Sequence, residues 1–158
     1  MSDNYLAIKK FDEGVAAYLK GDFKSSIKLF SEAIKYDPKF ALVHTSRGAA
    51  YLKSGKTLKA ITDFNCALQL NSADARTFHL RGLAHEKAGD VARAYRDFDR
   101  ALEIDPDLVA AYRGRDCVTD KSVAECWHQK EDYEMADHLA AMRVSHLAGH
   151  SSSRNPRI

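Results

Sequence analysis

A step of 34 residues runs through positions 7–108 and limits what this chain can fold into more than any other feature. Gly14, Gly48 and Gly82 are spaced by it, and so are Gly21, Gly55 and Gly89. Phe30, Phe64 and Phe98 keep the same interval, as do Ala33, Ala67 and Ala101. Ser26, Ala60 and Ala94 are all small, and Ile34, Leu68 and Leu102 are all aliphatic. Asp37-Pro38 and Asp105-Pro106 lie two intervals apart, with Asn71-Ser72 between them. A fixed period of this length marks a stacked array, in which no unit buries its apolar face alone.

Within one period the pattern is helical. Phe23, Ile27, Phe30 and Ile34 are separated by steps that place them on one helix face. The spacing predicts a first helix over Tyr5–Lys20 and a second over Phe23–Tyr36, broken by Gly21-Asp22, with Asp22 as the cap of the second. Gly48 and Gly82 allow the two helices of a pair to approach closely, opposite the small Ala60 and Ala94. Phe64 and Phe98 fill the space between units beside Ala67 and Ala101.

The Gly–x6–Gly pair, the small–x3–Phe–x2–Ala run and the closing Asp-Pro resemble the tetratricopeptide repeat. The resemblance implies an all-α fold: a right-handed helical-hairpin solenoid of three units, 7–40, 41–74 and 75–108. Lys10, Glu13 and Ala17 stand where the family prefers Trp, Leu and Tyr, which gives the first unit a polar outer face suited to an array end. After Leu108 the phase is lost. Positions 109–148 read as a degenerate fourth unit or a C-terminal capping helix pair. Ser122 and Glu125 form a capping box there, and Tyr133, Ala136, Ala140, Val144 and Leu147 form a helical stripe. The expected organisation is a single domain over 1–148 and a disordered polar tail over 149–158.

Charge and composition narrow the function. The formal net charge is +2, and no basic arm or acidic tail stands out, which argues against a nucleic-acid partner. The longest apolar runs, Val15–Leu19 and Leu108–Tyr112, are too short to insert in a membrane, and the first residues have no apolar signal core. Cys66, Cys117 and Cys126 are odd in number and form no CxxC, as expected of free thiols in a cytoplasmic setting. Cys126, His128, His138, His146 and His150 are not read as a zinc-ligand set, since no Cys-x2-Cys accompanies them, and no phosphate loop or nucleophile elbow is present. Asp97 with Asp99 and Asp105 with Asp107 read as solvated surface, and Cys66 as a buried structural thiol. The chain is therefore expected to be non-enzymatic and to need no cofactor or metal.

The resemblance also implies that the first helix of each pair lines the concave side of the solenoid, where a partner peptide or helix lies. The corresponding residues are Ile8, Phe11, Val15 and Tyr18 in unit one, and Leu42, Thr45, Ala49 and Leu52 in unit two, with Lys53 beside them. In unit three they are Arg76, His79, Leu83 and Glu86, with Lys87 beside them. One subclass of the family clamps the acidic tails of heat-shock chaperones with cationic and amide side chains. The matching places here hold Phe11, Val15, Ser46, His79 and Leu83, so the clamp is not expected. The stripe from Ile8 to Tyr18 is apolar. It is either a patch for a partner with an apolar segment or for self-association, or a surface covered by the chain's own terminal segments. The first reading expects Phe11→Asp to weaken binding and leave helicity intact. The expected role is a protein-interaction scaffold. The alternative is a homo-oligomeric assembly protein using the same stripe or the C-terminal helices.

Overall fold

The computed structural model describes residues 2–119. Seven helices follow one another: α1 (Asp3–Leu19), α2 (Phe23–Tyr36), α3 (Ala41–Lys53), α4 (Thr57–Leu70), α5 (Ala75–Lys87), α6 (Val91–Ile104) and α7 (Val109–Thr119). No strand occurs among the described residues. The expected capping box, the stripe from Tyr133 to Leu147, the domain end at 148 and the tail from Gly149 lie outside them.

The helices pair as α1–α2, α3–α4 and α5–α6, and each pair packs on the next through α2–α3, α4–α5 and α6–α7. The three turns inside the pairs share one device. Gly21, Gly55 and Gly89 have φ of +79°, +75° and +82°, which only glycine adopts without strain. Each lets the next amide reach back, as Asp22 N–H does to the Ala17 carbonyl at 3.0 Å, and this closes the preceding helix. Asp22 then caps α2 by accepting from Ser25 N–H at 3.1 Å, as the sequence predicts. Between pairs a second device repeats. Asp37, Asn71 and Asp105 each accept from the amide two residues on, at 3.0, 3.2 and 3.1 Å. An Asx side chain, rather than proline, is what all three of these turns have in common.

Phe30, Phe64 and Phe98 are fully buried, each against a glycine of the partner helix. A Cβ on Gly14, Gly48 or Gly82 would sit 2.6, 2.6 and 2.7 Å from the ring of the matching phenylalanine. Gly114, which the period leaves unexplained, has the same role at the last joint. Its hypothetical Cβ would lie 2.7 Å from Phe98, so here too the ring takes the place of a side chain.

Candidate partner-binding face

The first helices lie side by side. Beyond the contacts within and between hairpins, α1 touches α3, α3 touches α5 and α5 touches α7. These neighbours crowd while α2, α4 and α6 spread apart, so the stack bends with its first helices on the inner side. Thr77 and Thr45 help hold this inner layer. Thr77 Oγ1 donates to Asp74 Oδ2 at 2.6 Å, which leaves the Thr45 hydroxyl to donate to Thr77 at 2.8 Å.

The expected partner-binding residues fall on these helices with unequal exposure. Arg76 is exposed, and Ile8, Leu42 and Glu86 are partly exposed. Thr45, Ala49, Leu52, His79 and Leu83 are buried. Phe11 and Val15 have no exposed surface, and Tyr18 is only 4% exposed. The Phe11 ring lies 5.9 Å from that of Phe30 in α2 and 5.4 Å from that of Phe40 at the entry to α3. Tyr18 meets Phe23 edge-on at 5.2 Å, and His79 lies 5.8 Å from Phe98. A charge at Phe11 therefore strikes the packing of α1 on α2, and helicity is not expected to survive it as the sequence reading supposed.

Sequence reasoning missed a set of ion pairs behind this layer. Arg47 donates from Nε and Nη2 to both oxygens of Asp63, at 2.7 Å each. Arg81 grips Asp97 in the same way at 2.8 and 2.7 Å. Asp97 is thus buried and paired, not solvated surface as its sequence context suggests. The third nitrogen of each arginine reaches back to the preceding hairpin: Arg47 to Ser31 Oγ at 3.1 Å, Arg81 to Asn65 Oδ1 at 2.8 Å. Arg115 repeats the backward reach to Asp99 at 3.0 Å. The signal was present, because Arg47–Asp63 and Arg81–Asp97 share one spacing and recur at the period of the array.

Two buried histidines sit beside these aspartates and respond oppositely. Asp63 lies 3.9 Å from Nδ1 of His44, beyond hydrogen-bonding distance, and its charge raises the imidazole pKa against the effect of burial. The Pro38 carbonyl, 3.0 Å from Nε2, acts in the same direction. His85 lies 3.7 Å from Asp97, yet burial outweighs that carboxylate and lowers its pKa. Burial alone would raise the pKa of Asp63, but hydrogen bonding to Arg47 and attraction to His44 leave it below the ordinary value.

A family profile described as TPR repeat matches residues 14–55, and a second, described as tetratricopeptide repeat, matches residues 75–108. This is a tetratricopeptide-repeat protein. The second TPR domain of human RPAP3, solved with the HSP70 peptide SGPTIEEVD, is 26% identical with a TM-score of 0.72, over 75% of this chain and 98% of that one. The first TPR of Spaghetti (RPAP3), bound to the HSP90 peptide SRMEEVD, is 23% identical with a TM-score of 0.73, over 77% of this chain and 95% of that one. The Sgt2 TPR domain of Aspergillus fumigatus is 24% identical with a TM-score of 0.70, over 76% of this chain and 80% of that one. Among the described residues of the repeat protein, no helix is long and apolar enough to cross a membrane. Cys66 is a free thiol, and Cys66 and Cys117 are both partly buried.

Proposed function

We propose that the chain is a non-catalytic interaction scaffold whose partner, a peptide or helix with an apolar segment, lies along the face built by α1, α3 and α5. The observation that carries this reading is the side-by-side arrangement of those three helices on the inner side of the bend. Similar folds that hold peptides support it. Ile8, Leu42, Arg76 and Glu86 are the members of the row that reach the surface, while Phe11, Val15, Tyr18, Thr45, Ala49, Leu52, His79 and Leu83 set the shape beneath them. Phe11, Val15 and Ser46 are buried and non-ionic, which is the ground for placing this face outside the carboxylate-clamp type. The free thiol of Cys66 suits a reducing, cytoplasmic setting.

The test is a peptide array probed with purified wild type and with Ile8→Asp/Arg76→Glu. Peptides that lose at least about tenfold in affinity on the double substitution support the face, since interface energy concentrates in a few residues. Equal binding of all peptides by both proteins moves the site elsewhere. Titration with free-acid SRMEEVD checks the clamp: binding that Arg76→Glu abolishes would show that this face does hold a carboxylate tail. The homo-oligomeric alternative draws on Val109 and Tyr112 of α7, which are exposed at 57% and 40%. Light scattering that gives a concentration-independent monomer mass rules it out.

A further inference from the structure

On the other side of the stack, a groove of about 640 Å³ runs between α4 and α6 with α5 as its floor. This is a volume typical of ligand sites. Its lining carries four arginines and one carboxylate. That carboxylate, Asp97, is already held by Arg81 at the floor. The other three arginines, Arg93, Arg96 and Arg100, follow steps of three and four along α6 and so share one helix face. Arg93 and Arg100 each meet an acid one turn away, Asp90 at 3.4 Å and Glu103 at 2.7 Å. Both are exposed pairs, which contribute little and exchange readily. Arg96 is exposed and has no ion-pair partner among the described residues. Half-buried Ile61 and Phe78 give the groove an apolar patch beneath the cations.

The array contains its own control. One period earlier, Lys59, Thr62 and Cys66 occupy the places of Arg93, Arg96 and Arg100. The Lys59 ammonium there lies over the Tyr51 ring at 5.7 Å. The fold thus forms without the arginine row, and the row is a property of the third unit.

We propose that this groove is a second interaction surface, which holds an acidic segment of a partner protein in extended form. Guanidinium groups bind carboxylates through paired hydrogen bonds, and arginine loses less hydration than lysine in doing so. The helix rise puts Arg93 and Arg100 about 10 Å apart along α6, the length of three extended residues. An apolar residue flanked by glutamates then meets Ile61 and Phe78 while its neighbours meet the arginines. Phe78, Arg81 and His85 point away from the side of α5 that carries His79, Leu83 and Glu86, so the groove is separate from the α1–α3–α5 face.

The probe is fluorescein-labelled Glu-Glu-Leu-Glu-Glu with an amidated C-terminus, followed by anisotropy against the full chain at low and at physiological salt. Wild type is expected to bind it, more weakly as salt rises. Arg93→Gln/Arg96→Gln/Arg100→Gln is expected to lose at least about tenfold, and the single Arg96→Glu at least about threefold, with Arg76→Gln unchanged. The single Arg96→Glu lies on the exposed helix face, so it gives a reading even if the triple variant folds poorly. Three results overturn the proposal: no binding by wild type at low salt, equal binding by wild type and Arg96→Glu, or displacement of the peptide by single-stranded oligothymidylate below the concentration of a competing unlabelled peptide.

Discussion

Arg81 holds Asp97 by two parallel hydrogen bonds at 2.8 and 2.7 Å, with the carboxylate almost wholly out of water. Removing one partner of such a pair strands the other, whereas replacing both with apolar groups does not. Asp97→Ala is expected to cost about 2–4 kcal/mol in urea denaturation, below the range for fully dry pairs because Arg81 keeps some exposure. Arg81→Leu/Asp97→Leu is expected to cost less than Asp97→Ala alone. A single substitution within about 0.5 kcal/mol of wild type would mean the pair contributes nothing to stability.

Gly114 meets Phe98 from α7 as Gly82 does from α5. Phe98 is ringed from both sides and has no exposed surface, so an added methyl has nowhere to go. Gly114→Ala is therefore expected to destabilise by about 1–3 kcal/mol, despite alanine's better helix propensity. Combining it with Phe98→Leu should recover part of that loss relative to the sum of the single changes, because the two sites touch. Strict additivity in a double-mutant cycle would sink this account of α7 docking.

Phe11 bridges Phe30 and Phe40 with no exposed surface. Phe11→Asp is expected to remove helical signal at 222 nm and to cost about 3–5 kcal/mol or more, the range for losing a buried phenylalanine before the charge is counted. Phe64→Ala, at an equally buried site, is expected to fall in the same range. Phe11→Asp with an unchanged spectrum and unchanged denaturation midpoint would show that the ring does not seal the joint between α1 and α3.

The pH response near neutrality is expected to be a balance of two histidines. His44 has a raised pKa, so its stabilisation is present when it is protonated and is lost as pH rises through its folded value. His85 has a lowered pKa, so its neutral form favours the fold and stability is lost as pH falls below the ordinary histidine range. Relative to wild type, His44→Gln should make stability drop more steeply between pH 7 and pH 5.5, and His85→Gln should make it drop less. Identical pH profiles for wild type and both variants would remove the histidines from the balance. Further acidification protonates Asp63, whose lowered pKa means that stability present above the ordinary carboxylate range is lost as pH falls through it.

The period in the sequence carries the hairpins almost to the residue, because glycine at positive φ and phenylalanine against glycine are local, repeated solutions to chain geometry. Asp22 as a cap was readable for the same reason. Asp97 was not: a charge on a helix defaults to water, and its burial depends on an arginine from another helix. The inner face was legible as a row of positions but not as a set of exposures. Phe11 looks available within α1, but Phe30 of α2 and Phe40 at the start of α3 close over it. The arginine groove escaped for a related reason. The third unit carries a formal excess of one negative charge, and only folding sorts its cations to one side.

The backward reach of the three arginines ends on a hydroxyl at Ser31, an amide at Asn65 and a carboxylate at Asp99. The units are therefore not interchangeable parts. Inserting a second copy of 41–74 after the first would set Arg47 against Asn65, and the new joint would still close. Moving 75–108 to follow 7–40 would set Arg115 against Asn65, an amide in place of its carboxylate, while each phenylalanine still met the glycine of its own hairpin. The order of the units is written in polar side chains that the apolar packing never consults.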